Sequence, residues 1–456
     1  MDLRRLTRLT FAAPLLAAPL LFVACSSDDD GRRPSTNGSP PPGEIPDDGS
    51  GNGGSSGAGG SDQLDPETIA AIGTVENRGV ECGVPALPVG STLPDTPNLP
   101  DPFTRLDGTR ITQKSDWVCR REEILQQAFQ YIYGQKPPKP ESVSGTVTST
   151  EITVDIAHDG LNESFTADIS TPAGEGPFPA VISFSGSGPV PQIAAMGVAV
   201  INFNQMSVGN RNSGIFGRLY PGNTAGDLAA WAWGASRIID VLQAAGDTII
   251  DSSKLAVTGC SFLGKAAFAA GALDERFALV IPLESGIGGV PSYKIVPVLQ
   301  PNPTNSGTGP EQPQHAINNG WLPNTSLVGQ FQKLPVDTHE IIGLVAPRGL
   351  LVLGNTGGSG QYYLNLDNLS EHATALAGKQ IFTALGVPDN VSYDSKNVTH
   401  CQNTDMFTRA VQASVGKFLL DNDVATGTFT TDWEGVRAAP DPFVDWTPPT
   451  LEGELP

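Results

Sequence analysis

The chain is short of charge, and of positive charge most of all. Charged residues are 16% of its 456, and 27 Lys and Arg stand against 48 Asp and Glu, a formal net charge of −21. A protein that grips DNA or RNA needs a basic stripe, and none is visible, so nucleic acid is excluded as a partner. Any acidic substrate must be held by a few local cations. Bilayer-spanning length is lacking too, since the apolar run Phe11 to Ala24 falls short of a comfortable span. No internal repeat of the kind that builds solenoids is present. Histidine is scarce, with five in all, which narrows the search for a catalytic base.

Glycine (52) and proline (39) are abundant instead. They imply long ordered loops around a moderate core and at least one segment with no fold of its own. Arg4, Arg5 and Arg8 precede the apolar run, as in a secretory signal. The run ends Leu21-Phe22-Val23-Ala24-Cys25, which resembles a bacterial lipobox, although Phe22 is an unusual residue for its place. Residues 1–24 are therefore expected to be a lipoprotein signal and Cys25 the lipidated residue. Residues 25–79 hold Ser, Gly, Asp and Pro with little that is apolar, and are expected to form a flexible tether. The expected location is the cell envelope, exported and lipid-anchored. The membrane is touched through the lipid alone, and the chain is expected to be a monomer.

The folded part is expected from residue 80 to 456. Asp116-Trp117-Val118-Cys119-Arg120 leads into a helix expected over about 121–133, stopped by Gly134 and Pro137. Ile152, Val154 and Ile156, then Phe165, Ala167 and Ile169, alternate about the turn His158-Asp159-Gly160 and predict a β-hairpin with one buried face. Apolar runs at 180–184, 198–203, 255–258, 278–283 and 349–353 read as parallel strands, with helices expected between and after them. Asn223 or Thr224 is the expected cap of a helix reaching Ala245. This order predicts an α/β-hydrolase three-layer sandwich, with a mostly parallel central sheet and an antiparallel N-terminal hairpin.

The chemistry centres on Gly259-Cys260-Ser261-Phe262-Leu263-Gly264, between a buried strand and an alanine-rich helix. A serine at a tight strand-to-helix turn has the geometry of a nucleophile elbow. The usual spacing is Gly-x-Ser-x-Gly, and here the second glycine comes one residue late. The serine needs a base, and the base an orienting acid. His400, after the last strand and before the final helix, stands where the base of this fold belongs. His158 lies in the hairpin turn, His315 in a Pro/Asn-rich loop, His339 beside Asp337, and His372 in a helix. Gly354-Asn355 offers no carboxylate after its strand, so Glu284, after the preceding one, is the expected acid. The cysteines agree. If Ser261 and His400 share a hydrogen bond, Cys260 and Cys401 can lie within disulfide reach. Cys82 and Cys119 would then form a second pair, leaving Cys25 for lipid.

Together Val257-Thr-Gly-Cys-Ser-Phe-Leu-Gly-Lys265, Ala270-Gly-Ala-Leu-Asp-Glu-Arg276, Ile281-Pro-Leu-Glu-Ser-Gly286, Ala346-Pro-Arg-Gly349 and His400-Cys401 resemble the glucuronoyl esterases. These carbohydrate esterases cleave esters between (4-O-methyl-)glucuronic acid on glucuronoxylan and lignin alcohols. Leu99-Pro-Asp-Pro-Phe103, Asp116-Trp-Val-Cys-Arg120, Ala230-Trp-Ala-Trp-Gly234 and Asp445-Trp-Thr-Pro-Pro-Thr450 extend the resemblance. It implies Ser261, His400 and Glu284 as catalytic residues, both disulfides, and no metal or other cofactor. It implies Lys265 as a contact to sugar hydroxyls, with Gln312, Asn318 and Trp321 beside it. Phe262 stands where the family usually has an oxyanion-binding arginine, so only its backbone N–H is expected to serve. The loop Gly186-Ser187-Gly188, or Arg211 or Arg218, is the expected compensation. A family tryptophan is missing near Gly354–Gly360, with Tyr362 and Tyr363 the nearest aromatics. Two other readings remain: a hemicellulose esterase of different specificity, such as an acetyl esterase, or a non-catalytic carbohydrate-binding relative.

Overall fold

The structure is a computed structural model and describes residues 73–246, 248–299, 311–323, 329–356, 367–432 and 434–455. The expected signal, Cys25, most of the tether, and Tyr362 and Tyr363 lie outside the described residues.

Among the described residues, ten strands form one sheet. They are β1 (Ser142–Val147), β2 (Glu151–His158), β3 (Leu161–Ser170), β4 (Phe178–Phe184), β5 (Ala199–Phe203), β6 (Ile250–Cys260), β7 (Phe277–Leu283), β8 (Gly349–Asn355), β9 (Val391–Lys396) and β10 (Phe429–Thr431). Their spatial order is β1-β2-β3-β5-β4-β6-β7-β8-β9-β10. The pairs β1/β2, β2/β3 and β3/β5 are antiparallel, and every pair from β5/β4 onward is parallel. The expected hairpin is β2–β3, and Ile152, Val154, Ile156, Phe165, Ala167 and Ile169 are all buried. Strand β1 was not legible because its residues alternate only between exposed and half-buried.

Alternation along the central strands separates two apolar layers. Ile182, Val257, Val280 and Val352 face one side, with the helices Asp227–Ala245 (α1) and Phe262–Leu273 (α2). Val181, Ala256, Ile281 and Leu351 face the other, with the helix Thr408–Leu419 (α3). Helices therefore cover both faces, as a parallel sheet buried on each side requires.

Two helix starts differ from expectation. The helix expected over about 121–133 runs over Trp117–Ala128 and continues as a π-turn over Phe129–Tyr133. It starts early because the 3-10 turn Lys114–Asp116, whose Asp116 Oδ2 accepts the N–H groups of Thr112 and Gln113, leads straight into it. Helix α1 begins at Asp227, since Asn223 accepts the Ala225 N–H and closes a turn before it.

Packed chain also begins before residue 80. Arg78 is buried and its Nε donates to Glu275 at 2.8 Å. Glu76 is paired with both Lys136 and Arg237. Polar residues mark this segment, so apolar patterning could not reveal that it folds. Burial pushes the Glu76 carboxyl up, but Lys136, Arg237 and Arg276 outweigh that and hold it well below its usual 4.5. A depressed acid contributes stability above its unfolded value, and that stability is lost as pH falls through the folded one. Urea unfolding between pH 6 and 2.5 should therefore show a decline below about pH 4.5 that Glu76→Gln makes shallower.

Candidate active site

Strand β6 delivers Ser261 into a turn with φ 62° and ψ −129°, and α2 begins at the next residue. The Ser261 N–H donates to Leu283 O at 3.0 Å, which ties the turn to β7. Both flanking glycines are required by close approach. A Cβ on Gly259 would lie 2.2 Å from Leu263 O, and one on Gly264 would lie 2.5 Å from Leu283 O. The second glycine falls one residue late because that is where α2 crosses the end of β7.

Glu284 follows β7, is 1% exposed, and is fixed by its N–H bond to Leu353 O at 2.7 Å. Its Oε2 bonds His400 Nδ1 and also accepts the Cys401 N–H at 3.4 Å. A carboxylate at Nδ1 selects the tautomer that leaves Nε2 with its lone pair. Cys260 and Cys401 are joined, with Cα atoms 5.7 Å apart, and so are Cys82 and Cys119. The first disulfide links the residue before Ser261 to the residue after His400. Asn355, at the end of β8, donates to Val398 O at 2.9 Å and steadies the approach to His400 instead of supplying an acid.

The oxyanion side has backbone donors. Phe262 opens a 12-residue helix, where the first N–H groups have no partner within the helix. The loop after β4 is laced to the elbow, for Ser187 Oγ accepts the Cys260 N–H at 3.1 Å. Arg218 does not take the missing arginine's place, because it is committed to Glu163. Burial pushes the Asp227 carboxyl up to about 6 against the pull of the Arg211 charge. The Phe262 side chain lies flat on Trp321, ring centres 5.8 Å apart, with Trp231 at 6.2 Å. It is an apolar wall and offers no donor.

Beside that wall lies buried Lys265. Its Nζ donates to Ser285 O and to Glu311 Oε2, each at 2.6 Å, and stands 5.1 Å from the Trp321 ring centre. Glu311 Oε2 also accepts the Ile287 N–H at 3.1 Å. Sequence reasoning missed Glu311, an acid in a Pro- and Gly-rich loop with no pattern to mark it. Gln312 is next to it, and its Nε2 is buried without a partner among the described residues. Asn318 is exposed and accepts from Gln314 at 2.8 Å, and the acid on Lys265 is Glu311. His339 is buried, bonds Pro100 O and stacks on Trp446, a structural role. Lys265→Ala strands the Glu311 carboxylate, and chemical denaturation should show a loss of about 3–5 kcal/mol. Adding Glu311→Gln should recover part of it.

Fold and site together define the class: a serine hydrolase of α/β-hydrolase fold. A family model described as glucuronyl esterase, fungi, matches residues 154–386. A 4-O-methyl-glucuronoyl methylesterase of Schizophyllum commune is 34% identical over 399 residues, covering 84% of this chain and 98% of that protein. The chain belongs to the glucuronoyl esterase family. The glucuronoyl esterase catalytic domain from Hypocrea jecorina superposes with a TM-score of 0.71 at 34% identity, over 80% of this chain and all of that one (100%). The Sporotrichum thermophile esterase gives 0.73 at 32%, over 81% and 100%, and one of its variants has been solved with methyl 4-O-methyl-β-D-glucopyranuronate.

Proposed function

We propose that the chain hydrolyses esters of (4-O-methyl-)glucuronic acid carried on glucuronoxylan, releasing lignin-type alcohols. The observation that carries this reading is the pairing of the Ser261 elbow with buried Lys265 one helical turn on. Ser261 Oγ attacks the ester carbonyl and gives its proton to His400 Nε2, while Glu284 holds Nδ1–H and steadies the imidazolium. The Phe262 N–H faces the developing oxyanion. His400 returns the proton to the departing alcohol, and the uronoyl group stays on Ser261. Water, deprotonated by His400, then clears the acyl-enzyme and frees the uronic acid. Lys265 and Glu311 hold sugar hydroxyls, with Gln312 and Trp321 at their side.

The test is release of alcohol from methyl and benzyl glucuronate compared with acetate from acetylated xylan. Uronate turnover supports the reading, acetate release alone assigns a different hemicellulose esterase, and sugar binding with neither makes the chain a binding protein. Export as a monomeric lipoprotein anchored at Cys25 belongs to the same proposal, supported by the basic and apolar N-terminal pattern. Cys25→Ala should shift the chain from membrane to soluble fractions.

A further inference from the structure

A cavity of about 670 Å³ lies between the π-turn Phe129–Tyr133, the 211–212 loop and the 223–224 turn before α1. Its walls include none of Ser261, Glu284, His400, Lys265 or Glu311. Among the described residues that line it, Arg211 alone is charged. Arg211 is half-buried, and among the described residues its guanidinium has neither a hydrogen bond nor an ion pair. Asp227 feels the charge from the start of α1 without bonding to it. Arg120, Arg237 and Arg276, by contrast, each meet a carboxylate at 2.9 Å or less. In a chain with 48 acids against 27 bases, an arginine that faces a cavity without a carboxylate on it is a vacant cation.

The groups around it are amides. Asn223 Oδ1 accepts the Ala225 N–H at 2.7 Å, which leaves its NH₂ group to donate. Asn212 is exposed, and its amide can both donate and accept. Gln130 Nε2 donates to Pro88 O at 2.9 Å and Gln135 Nε2 to Lys136 O at 3.4 Å, which turns both amide oxygens to accepting.

A planar guanidinium with amide donors beside it suits a carboxylate, and amide oxygens suit hydroxyls. One cation matches one negative charge. The volume is in the range of sites for small organic molecules, about 300–1,000 Å³, and inorganic phosphate would leave most of it empty. A polyanion is repelled over longer range by the net charge of −21.

We propose that this cavity binds a free sugar acid, with its carboxylate on Arg211 and its hydroxyls on the amides. The site goes beyond the esterase reading and does not depend on it. That reading gives it a use. An ester bound at Ser261 is neutral and becomes a carboxylate only on cleavage, so a cavity keyed to Arg211 takes the acid and passes over the ester.

Ligand-observed NMR of the Ser261→Ala chain, titrated with D-glucuronate while methyl glucuronate fills the catalytic site, tests this. Glucuronate should still bind and D-glucose should not. Arg211→Gln should weaken glucuronate by about tenfold to a hundredfold, as loss of a hydrogen-bonded charge implies. Arg211→Lys keeps the charge without the fork and should fall between. Asn212→Ala, at an exposed position, should cost about two- to tenfold and decides the matter if Arg211→Gln does not fold. Equal binding of glucose and glucuronate, a change below about twofold in these variants, or tighter binding of inorganic phosphate overturns the assignment. So does loss of glucuronate binding once methyl glucuronate is present. If the unmutated chain does not turn over methyl glucuronate, the esterase reading fails, and the Arg211→Gln titration alone decides for or against the cavity.

Discussion

Ser261→Ala lowers kcat on methyl or benzyl glucuronate by about six orders of magnitude while the fold is kept. The size follows from the site acting as a unit. Without the hydroxyl, His400 has nothing to deprotonate but water, and what remains is binding and the oxyanion donors. His400→Ala should therefore cost about as much, and the double variant no more than either alone. Glu284→Gln should cost less, on the order of 10⁴, because the imidazole survives in the wrong tautomer. Burst and steady-state kinetics measure these losses, with far-UV circular dichroism checking the fold. A loss below about a hundredfold for Ser261→Ala would place the nucleophile elsewhere.

The second large effect is expected from Cys260→Ser/Cys401→Ser, in stability and in rate together. The bond closes a loop of 141 residues, against 37 for Cys82–Cys119. Losing it should cost about 2–5 kcal/mol, roughly 1 kcal/mol more than losing the shorter bridge. The difference that matters is kinetic. Cys401 adjoins His400, and displacement of the base by about 1 Å can cost about a hundredfold in rate. Removing Cys82–Cys119 should lower stability and leave kcat near its starting value. Equal effects of the two on kcat would show that the Cys260–Cys401 bridge does not position the base.

The layered sheet was legible because burial on both faces writes apolar runs into the chain, and the hairpin because one face alternates. The pairing of His400 with Glu284 was legible because topology fixes which strand ends meet. The elbow spacing was legible as a departure, and its cause, the crossing of α2 over β7, needed coordinates. Side chains that act through distant partners left no local mark. Glu311 meets Lys265 across 46 residues, and Glu76 reaches Arg237 across 161. Arg218 was a candidate by position alone, and it answers to Glu163, an acid that the sequence does not pair with it.

The backbone of Ser261 carries one more consequence. A residue with a Cβ at φ 62° is held in a conformation that costs about 1–3 kcal/mol and suits glycine better. Drift toward glycine at this codon would give a sturdier and inert protein. The serine thus persists against a thermodynamic gradient, and only selection for turnover can keep it there.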